Sequence, residues 1–191
     1  LVLDEADRMM DMGFTKDMTR IVRKLPKVRQ TLFFSATMSP DILQLSQHML
    51  HKPVRVEVSP ESTTAEKVDD RVLYTVDNKK RETTLELLEY EGIEDCLIFT
   101  RTKIGADKLE RFLKGKQKSV LALHGDKTQN ARQKALKNFK EGKCKILVAT
   151  DVASRGIDIS NLSCVINYDV PNEPEAYIHR VGRTGRAGKE G

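Results

Sequence analysis

The sequence predicts an α/β fold in which a parallel sheet is covered by helices, divided into two units. Three observations carry that prediction. Short apolar runs, such as CLIFT at 96–100 and KILVAT at 145–150, recur between segments of helical period. These runs are continuously apolar rather than alternating, which suits strands buried on both faces. The stretch SPESTTAEKVDD at 59–70 interrupts the rhythm with Ser, Thr, Pro and acidic residues and few apolar anchors, so it reads as a linker.

The elements follow in order. Leu1–Leu3 reads as the end of a strand. Residues 16–25 predict a helix with Met18, Ile21, Val22 and Leu25 on one face. Thr31–Phe34 predicts a strand, and Pro40–Leu50 a helix with proline in its first turn. Val54–Val58 predicts another strand. Beyond the linker, strands are expected at 71–76, 96–100, 119–123, 145–150 and 164–168. Helices are expected near 79–90, 103–114 and 128–141, the last with a core stripe of Ala131, Ala135, Leu136 and Phe139. The resulting division is 1–58, a linker at 59–70, and 71–191.

Composition narrows the class. The 191 residues are 39% hydrophobic and 32% charged, as in an ordinary globular protein. No apolar run approaches the roughly 18 residues of a membrane span. The net charge is +5, but residues 1–70 carry 10 Lys/Arg against 11 Asp/Glu and residues 71–191 carry 23 against 17. The basic excess thus lies in the second unit, as expected of a surface that meets phosphates, although a solvated mixed-charge surface has the same count. Cys96, Cys144 and Cys164 lack metal-ligand spacing and read as small buried groups of a reduced, cytoplasmic protein.

Six stretches carry chemistry. Asp4-Glu5-Ala6-Asp7 follows an apolar strand, where carboxylates leave the carboxyl edge of a sheet and ligands bind. Such a pair can hold Mg²⁺ and orient a water, or simply start a helix. Ser35-Ala36-Thr37 can bond neighbouring carboxylates or cap a helix. Phe99-Thr100-Arg101-Thr102-Lys103 sets Arg101 and Lys103 at another strand end, to meet phosphates or to form a cationic turn. In His124-Gly125-Asp126, glycine admits a close backbone, and Gln129 and Arg132 share a helix face. His124 is equally a structural group. The stretch 149–158, ATDVASRGID, crowds polar side chains near a sheet edge, where burial is costly without partners; a plain loop could also carry them. Finally, the stretch 179–188, HRVGRTGRAG, spaces Arg180, Arg183 and Arg186 by three among glycines. That reads as a flexible cationic strip, able to stabilise charge on a transferred phosphoryl group or to bind nucleic acid loosely.

Together, in this order, the stretches VLDEAD, SAT, LIFTRTK, HGDKTQNAR, ATDVASRGID and HRVGRTGR resemble the later motifs of the DEAD-box RNA helicase family, over essentially the whole chain. The flanking LPKVRQTLFFSATM and FTRTKIGADKL resemble the bacterial RhlE-like subgroup. The resemblance implies two RecA-like domains with ATP and Mg²⁺ in the cleft between them and RNA across both. The chain would then hold the C-terminal remnant of the first domain and most of the second, without its last strand. It implies that Asp4 acts on Mg²⁺ through water, with Glu5 beside it orienting the hydrolytic water. Asp7, Ser35, Thr37 and His179 would link nucleotide state to domain closure. Arg183 and Arg186 would be arginine fingers, and Asp158 with Gly156 would meet the nucleotide. Arg101, Gly125, Gln129, Arg132, Thr150, Asp151, Arg155 and Gly156 would grip the RNA backbone or shape the loops that do, with little sequence preference.

One departure is plain. The phosphate-cradling pattern GxxxxGK[S/T] is absent, since none of the Gly-Lys pairs beginning at 115, 142 and 188 has the required glycine upstream. The expectation is a chain with little ATPase activity alone, its first unit leaving strand edges exposed and prone to self-association. An RNA-binding or partner-docking module without ATPase activity is the alternative.

Overall fold

A computed structural model describes residues 1–57, 68–89, 93, 95–154, 159, 162–185 and 191. The chain divides into two units, Leu1–Ser59 and Pro60–Gly191.

In the first unit, β1 (Val2–Leu3) pairs in parallel with β2 (Leu32–Phe33), Leu3 opposite Phe33. Helices α1 (Ala6–Asp11), α2 (Thr15–Lys24) and α3 (Pro40–Met49) pack around them. Ser39 caps α3 by accepting from the Ile42 amide at 3.4 Å, with Pro40 at the first helical position. The core is Leu3, Met18, Leu45 and Met49, flanked by Met9, Val22 and Phe33. Met18 and Val22 face inward as the period implied, whereas Ile21 is 55% exposed. Residues 54–57 form no ladder, and Val54 and Val56 lie in solvent. Strand propensity is realised only where a neighbouring strand accepts the backbone hydrogen bonds.

The second unit is built on a four-stranded parallel sheet in the order β4-β5-β3-β6. Its strands are β3 (Cys96–Phe99), β4 (Val120–Leu123), β5 (Ile146–Ala149) and β6 (Cys164–Asn167). The helices are α4 (Lys80–Leu88, after a 3₁₀ turn at Asp77–Lys79), α5 (Lys103–Gly115), α6 (Gln129–Lys140), α7 (Asp151–Ser154) and α8 (Pro174–Val181). Thr102 caps α5 and Thr128 caps α6 through their hydroxyls.

Alternation along β3 explains its continuous apolar run. Leu97 and Phe99 join a core on one face with Leu123, Leu147, Ala135 and Phe139. Cys96 and Ile98 join a second core on the other face with Leu109, Leu113, Val120 and Val148. Each fully buried Leu, Ile or Phe contributes about 1.5–3 kcal/mol.

The strand expected at 71–76 does not form; Val72, Tyr74 and Val76 are exposed. The three cysteines are free, with Cys96 and Cys164 opposite each other on β3 and β6. No helix among the described residues is long and apolar enough to cross a membrane.

Candidate functional site

In the first unit, the chain leaves β1 through Asp4 and Glu5. Glu5 sits in the left-handed region (φ 51°, ψ 45°), which side-chain-bearing residues rarely adopt and which costs on the order of 1–3 kcal/mol. This sharp corner sends α1 off the sheet edge. One oxygen of Asp4 accepts the Glu5 amide at 2.9 Å, and Glu5 lies 3.7 Å from the Arg8 guanidinium.

Asp7 is buried in the first turn of α1. One carboxylate oxygen accepts both the amide (2.8 Å) and the hydroxyl (3.1 Å) of Thr37, and the other accepts the Arg8 amide at 2.9 Å. The Asp7 amide donates to Ser35 Oγ, which donates in turn to the Thr37 carbonyl. Asp7, Ser35 and Thr37, separated by some thirty residues in sequence, are therefore one hydrogen-bonded cluster. Burial pushes the Asp7 carboxyl up, but the Thr37 amide, then the Arg8 amide and the two hydroxyls outweigh it, and its pKa lies below the ordinary value.

A depressed carboxyl stabilises the fold above its unfolded pKa and loses that contribution as pH falls through the folded value. Asp7→Ala leaves the Thr37 amide and hydroxyl without their acceptor, an expected loss of about 1–3 kcal/mol near pH 7. Hydrogen exchange at the Thr37 amide reads it, and the gap between variant and parent should close as pH drops below about 4.

In the second unit, the parallel register brings four strand ends to one edge: Phe99 opposite Ala149 and Asn167, and Leu123 opposite Ala149. Thr100–Arg101, His124–Gly125, Thr150–Asp151 and Tyr168–Asp169 therefore share that edge. The strand order reverses beside β3, with β4 and β5 laid down on one side of it and β6 on the other, which makes this the expected ligand-binding edge of an open α/β sheet.

Arg180, in the last turn of α8, is the organising cation there. It is 3% exposed. Its Nε and Nη2 donate to the two oxygens of Asp151, each at 2.7 Å; Nη1 donates to Asn167 Oδ1 (2.9 Å) and the Asp169 carbonyl (2.6 Å). Its guanidinium also lies over the Phe99 ring at 4.9 Å.

Asp169 is the matching anion. It accepts Lys80 Nζ at 2.7 Å and the Arg101 amide at 2.8 Å. Burial raises its carboxyl; the Arg101 amide and Lys80 overcome this, and the net shift is downward. By sequence Arg180 stood out only as one of the three arginines of the cationic strip, and Asp169 did not stand out. Asp169 could have been found by its position two residues after the strand Cys164–Asn167, as Asp151 stands two residues after Ile146–Ala149.

Beside β4, His124 is buried, with Nε2 3.0 Å from Asp107. Lys127 donates to the same carboxylate at 2.9 Å and lies 3.5 Å from Glu110. Lys127, then burial and His124, set the balance at Asp107, whose pKa is lowered. A Cβ on Gly125 would meet only Lys103, at an ordinary 3.7 Å, so the space over Gly125 is not filled by the chain's own backbone. Gln129 Oε1 accepts Arg132 Nη1 at 3.2 Å, placing both on one face as their spacing implied.

The described part of the cationic stretch, 179–185, is not a loose strip. His179 and Arg180 are helical, and Leu162 donates to the Arg183 carbonyl while Thr184 Oγ1 donates to the Leu162 carbonyl at 2.5 Å. Arg183 also donates to the Ile159 carbonyl at 3.4 Å. One backbone and one side-chain hydrogen bond fasten 183–184 to Leu162, so these residues form part of the fold. Arg155, Gly156, Asp158 and Arg186, with most of the 59–70 segment, lie outside the described residues.

Residues 79–188 match the helicase conserved C-terminal domain, and residues 1–45 match the DEAD/DEAH box helicase model. The chain belongs to the DEAD-box helicase family. This DEAD-box chain is 44% identical over its full length to the ATP-dependent RNA helicase CshA of Listeria monocytogenes, of which it covers 37%. It is equally 44% identical to the DEAD-box ATP-dependent RNA helicase RhpA of Helicobacter pylori, covering 39%. It thus spans about two fifths of the length of these relatives. Among solved structures, S. cerevisiae Dbp5 bound to RNA and ADP BeF3 matches all of the DEAD-box chain at 34% identity, with a TM-score of 0.82 over 51% of that chain. A DEAD box protein from Methanococcus jannaschii matches at 39% identity and a TM-score of 0.63, with 51% of it covered. These likenesses establish the family and the RecA-like α/β fold, not the RhlE-like subgroup.

Proposed function

We propose that the protein containing this chain couples ATP hydrolysis to local RNA strand separation. The single observation that carries the reading is the strained corner at Glu5, tied through α1 to the Asp7–Ser35–Thr37 cluster. A carboxylate held in a costly conformation at a sheet's carboxyl edge suits a group that orients the attacking water. The relatives named as RNA helicases, and Dbp5 with its RNA and ADP BeF3, support the same reading.

Mg²⁺ would act at Asp4, through water. Among the described residues no group of three or more acidic, His or Cys side chains could enclose a metal ion. A cation there would be held by one or two carboxylates, waters and substrate phosphates. When bound, Mg²⁺ would neutralise charge on the phosphates.

Arg183 would meet that charge from the second unit, and Arg186 and Asp158 would act on the nucleotide with it. Arg101, Gly125, Gln129, Arg132, Thr150, Arg155 and Gly156 would hold RNA phosphates. Asp151 would act indirectly, since both its oxygens are taken by Arg180. His179 would carry closure to the Asp7 cluster. The remnant first unit would promote self-association of the isolated chain.

The test is ATP turnover by the full-length protein with and without RNA. RNA should raise kcat/KM while duplex DNA of equal length does not, and equal turnover with and without RNA would overturn the reading.

A further inference from the structure

The basic excess of the second unit is unevenly placed. Residues 127–145 hold seven Lys/Arg and a single acidic residue, Glu141. Lys127 is bound to Asp107 and Glu110, leaving the others along α6 and the turn after it. Helix α6 buries Ala135 and Phe139 against the sheet. At 100° per residue, Lys137 then lies opposite the buried stripe, with Lys134 and Lys140 about 60° to either side of it; all three are exposed. Lys143 and Lys145, also exposed, continue the row beyond the helix end.

Two ordinary explanations fall short. A solvated helix face alternates charge signs, and this one does not. Cations in a last turn offset a helix dipole of about half a charge, which Lys137 and Lys140 exceed; that leaves Lys134, Lys143 and Lys145 without such a role. Glu141, the acidic residue within this stretch, lies 2.6 Å from Lys143 and 3.8 Å from Lys137, and Lys143 chiefly holds its carboxyl below the usual range.

The row also has a direction. It begins at Gln129 and Arg132, at the carboxyl edge assigned above to RNA phosphates. It runs the length of α6, about 18 Å at 1.5 Å per residue, to the opposite edge of the sheet. There Ser119 Oγ donates to the Lys143 carbonyl and joins this turn to the start of β4.

We propose that the outer face of α6, through Lys134, Lys137 and Lys143, is a phosphate track that carries an RNA strand beyond the carboxyl-edge site. The proposal rests on the RNA reading above. Lysines on flexible stems, without aromatic groups between them, suit sequence-independent contact with a backbone rather than base readout.

The test uses the full-length protein with Lys134→Gln, Lys137→Gln and Lys143→Gln combined. Affinity is measured against salt for a short RNA of about 6 nucleotides and for one longer than about 16. Each lost phosphate contact lowers the single-strand salt slope by about 0.7, so the long RNA should lose about 2 units of slope. The short RNA should bind as before, and the corresponding Lys→Arg variant should restore the slope.

A long-RNA slope that stays put while short RNA still binds overturns the track and leaves the RNA reading standing. An unmodified protein that binds neither RNA overturns both. If the triple variant loses binding to polyglutamate but keeps its RNA slope, the face docks acidic protein segments and the proposal fails. Circular dichroism of the variant guards against a folding artefact, since glutamine keeps helical propensity and all three sites are exposed.

Discussion

Arg180→Ala should destabilise the second unit by about 3 kcal/mol, the lower end of the range for breaking a buried ion pair. The lower end applies because the Asp151 side chain is 29% exposed and can partly rehydrate, whereas Arg180 is 3% exposed. The loss has several parts. Asp151 is left with neither of its charge-assisted bonds, Asn167 and the Asp169 carbonyl lose a donor, and Phe99 loses the cation over its ring.

The conservative replacement should not rescue it. A lysine ammonium is a point charge and cannot engage both oxygens of Asp151 while reaching Asn167 in the plane of a guanidinium fork. Arg180→Lys should therefore retain less than half of the stabilisation. Denaturant unfolding at constant slope measures both, and a double-mutant cycle with Asp151→Ala isolates the coupling. A midpoint unchanged in Arg180→Ala would mean that the pair contributes only on paper.

The same residue shows what a sequence conceals. Helical period placed α2, α3, α5 and α6 within a residue or two, because each has an apolar stripe and most carry a capping hydroxyl. Continuous apolar runs placed β3 to β6 because both faces of these strands are covered, fully for β3 and β5 and in part for the edge strand β6. The strands expected at 54–58 (VRVEV) and 71–76 (RVLYTV) are β-branched but interrupted by polar residues and have no partner strand among the described residues, and partnership is not a local property. Candidate residues at strand ends were legible for a related reason: whatever follows a buried parallel strand emerges at the sheet edge.

Pairing was not legible. The order β4-β5-β3-β6 sets Asn167–Asp169 beside Phe99–Arg101, and only that order lets an arginine of α8 reach Asp151, 29 positions earlier. Read in sequence, Arg180 was one of three arginines in a supposedly mobile strip; in the fold it is the fixed one. Asp169 was overlooked because its partners, Lys80 and Arg101, lie 89 and 68 positions away.

Glu5→Gln should lower RNA-stimulated ATP turnover by the full-length protein by about 10²–10⁴-fold, the range for loss of a positioned acid–base group. The substitution keeps shape and length but removes the charge that would orient and polarise the attacking water. ATP affinity should change little, so the loss should appear in kcat rather than KM. Stability should also change little, because the ion pair to Arg8 is a long 3.7 Å contact on a 40% exposed side chain, and such pairs contribute at most about 1 kcal/mol. Glu5→Gly separates conformation from chemistry. Glycine adopts φ 51° without the penalty that a side chain incurs, so this variant should gain about 1 kcal/mol of stability while turning over ATP no faster than Glu5→Gln. A protein that becomes more stable and less active at one residue has strain retained for function. If Glu5→Gln turns over ATP at the parent rate, the left-handed corner is only a way of starting α1, and the reading of this sheet edge as a hydrolytic site fails.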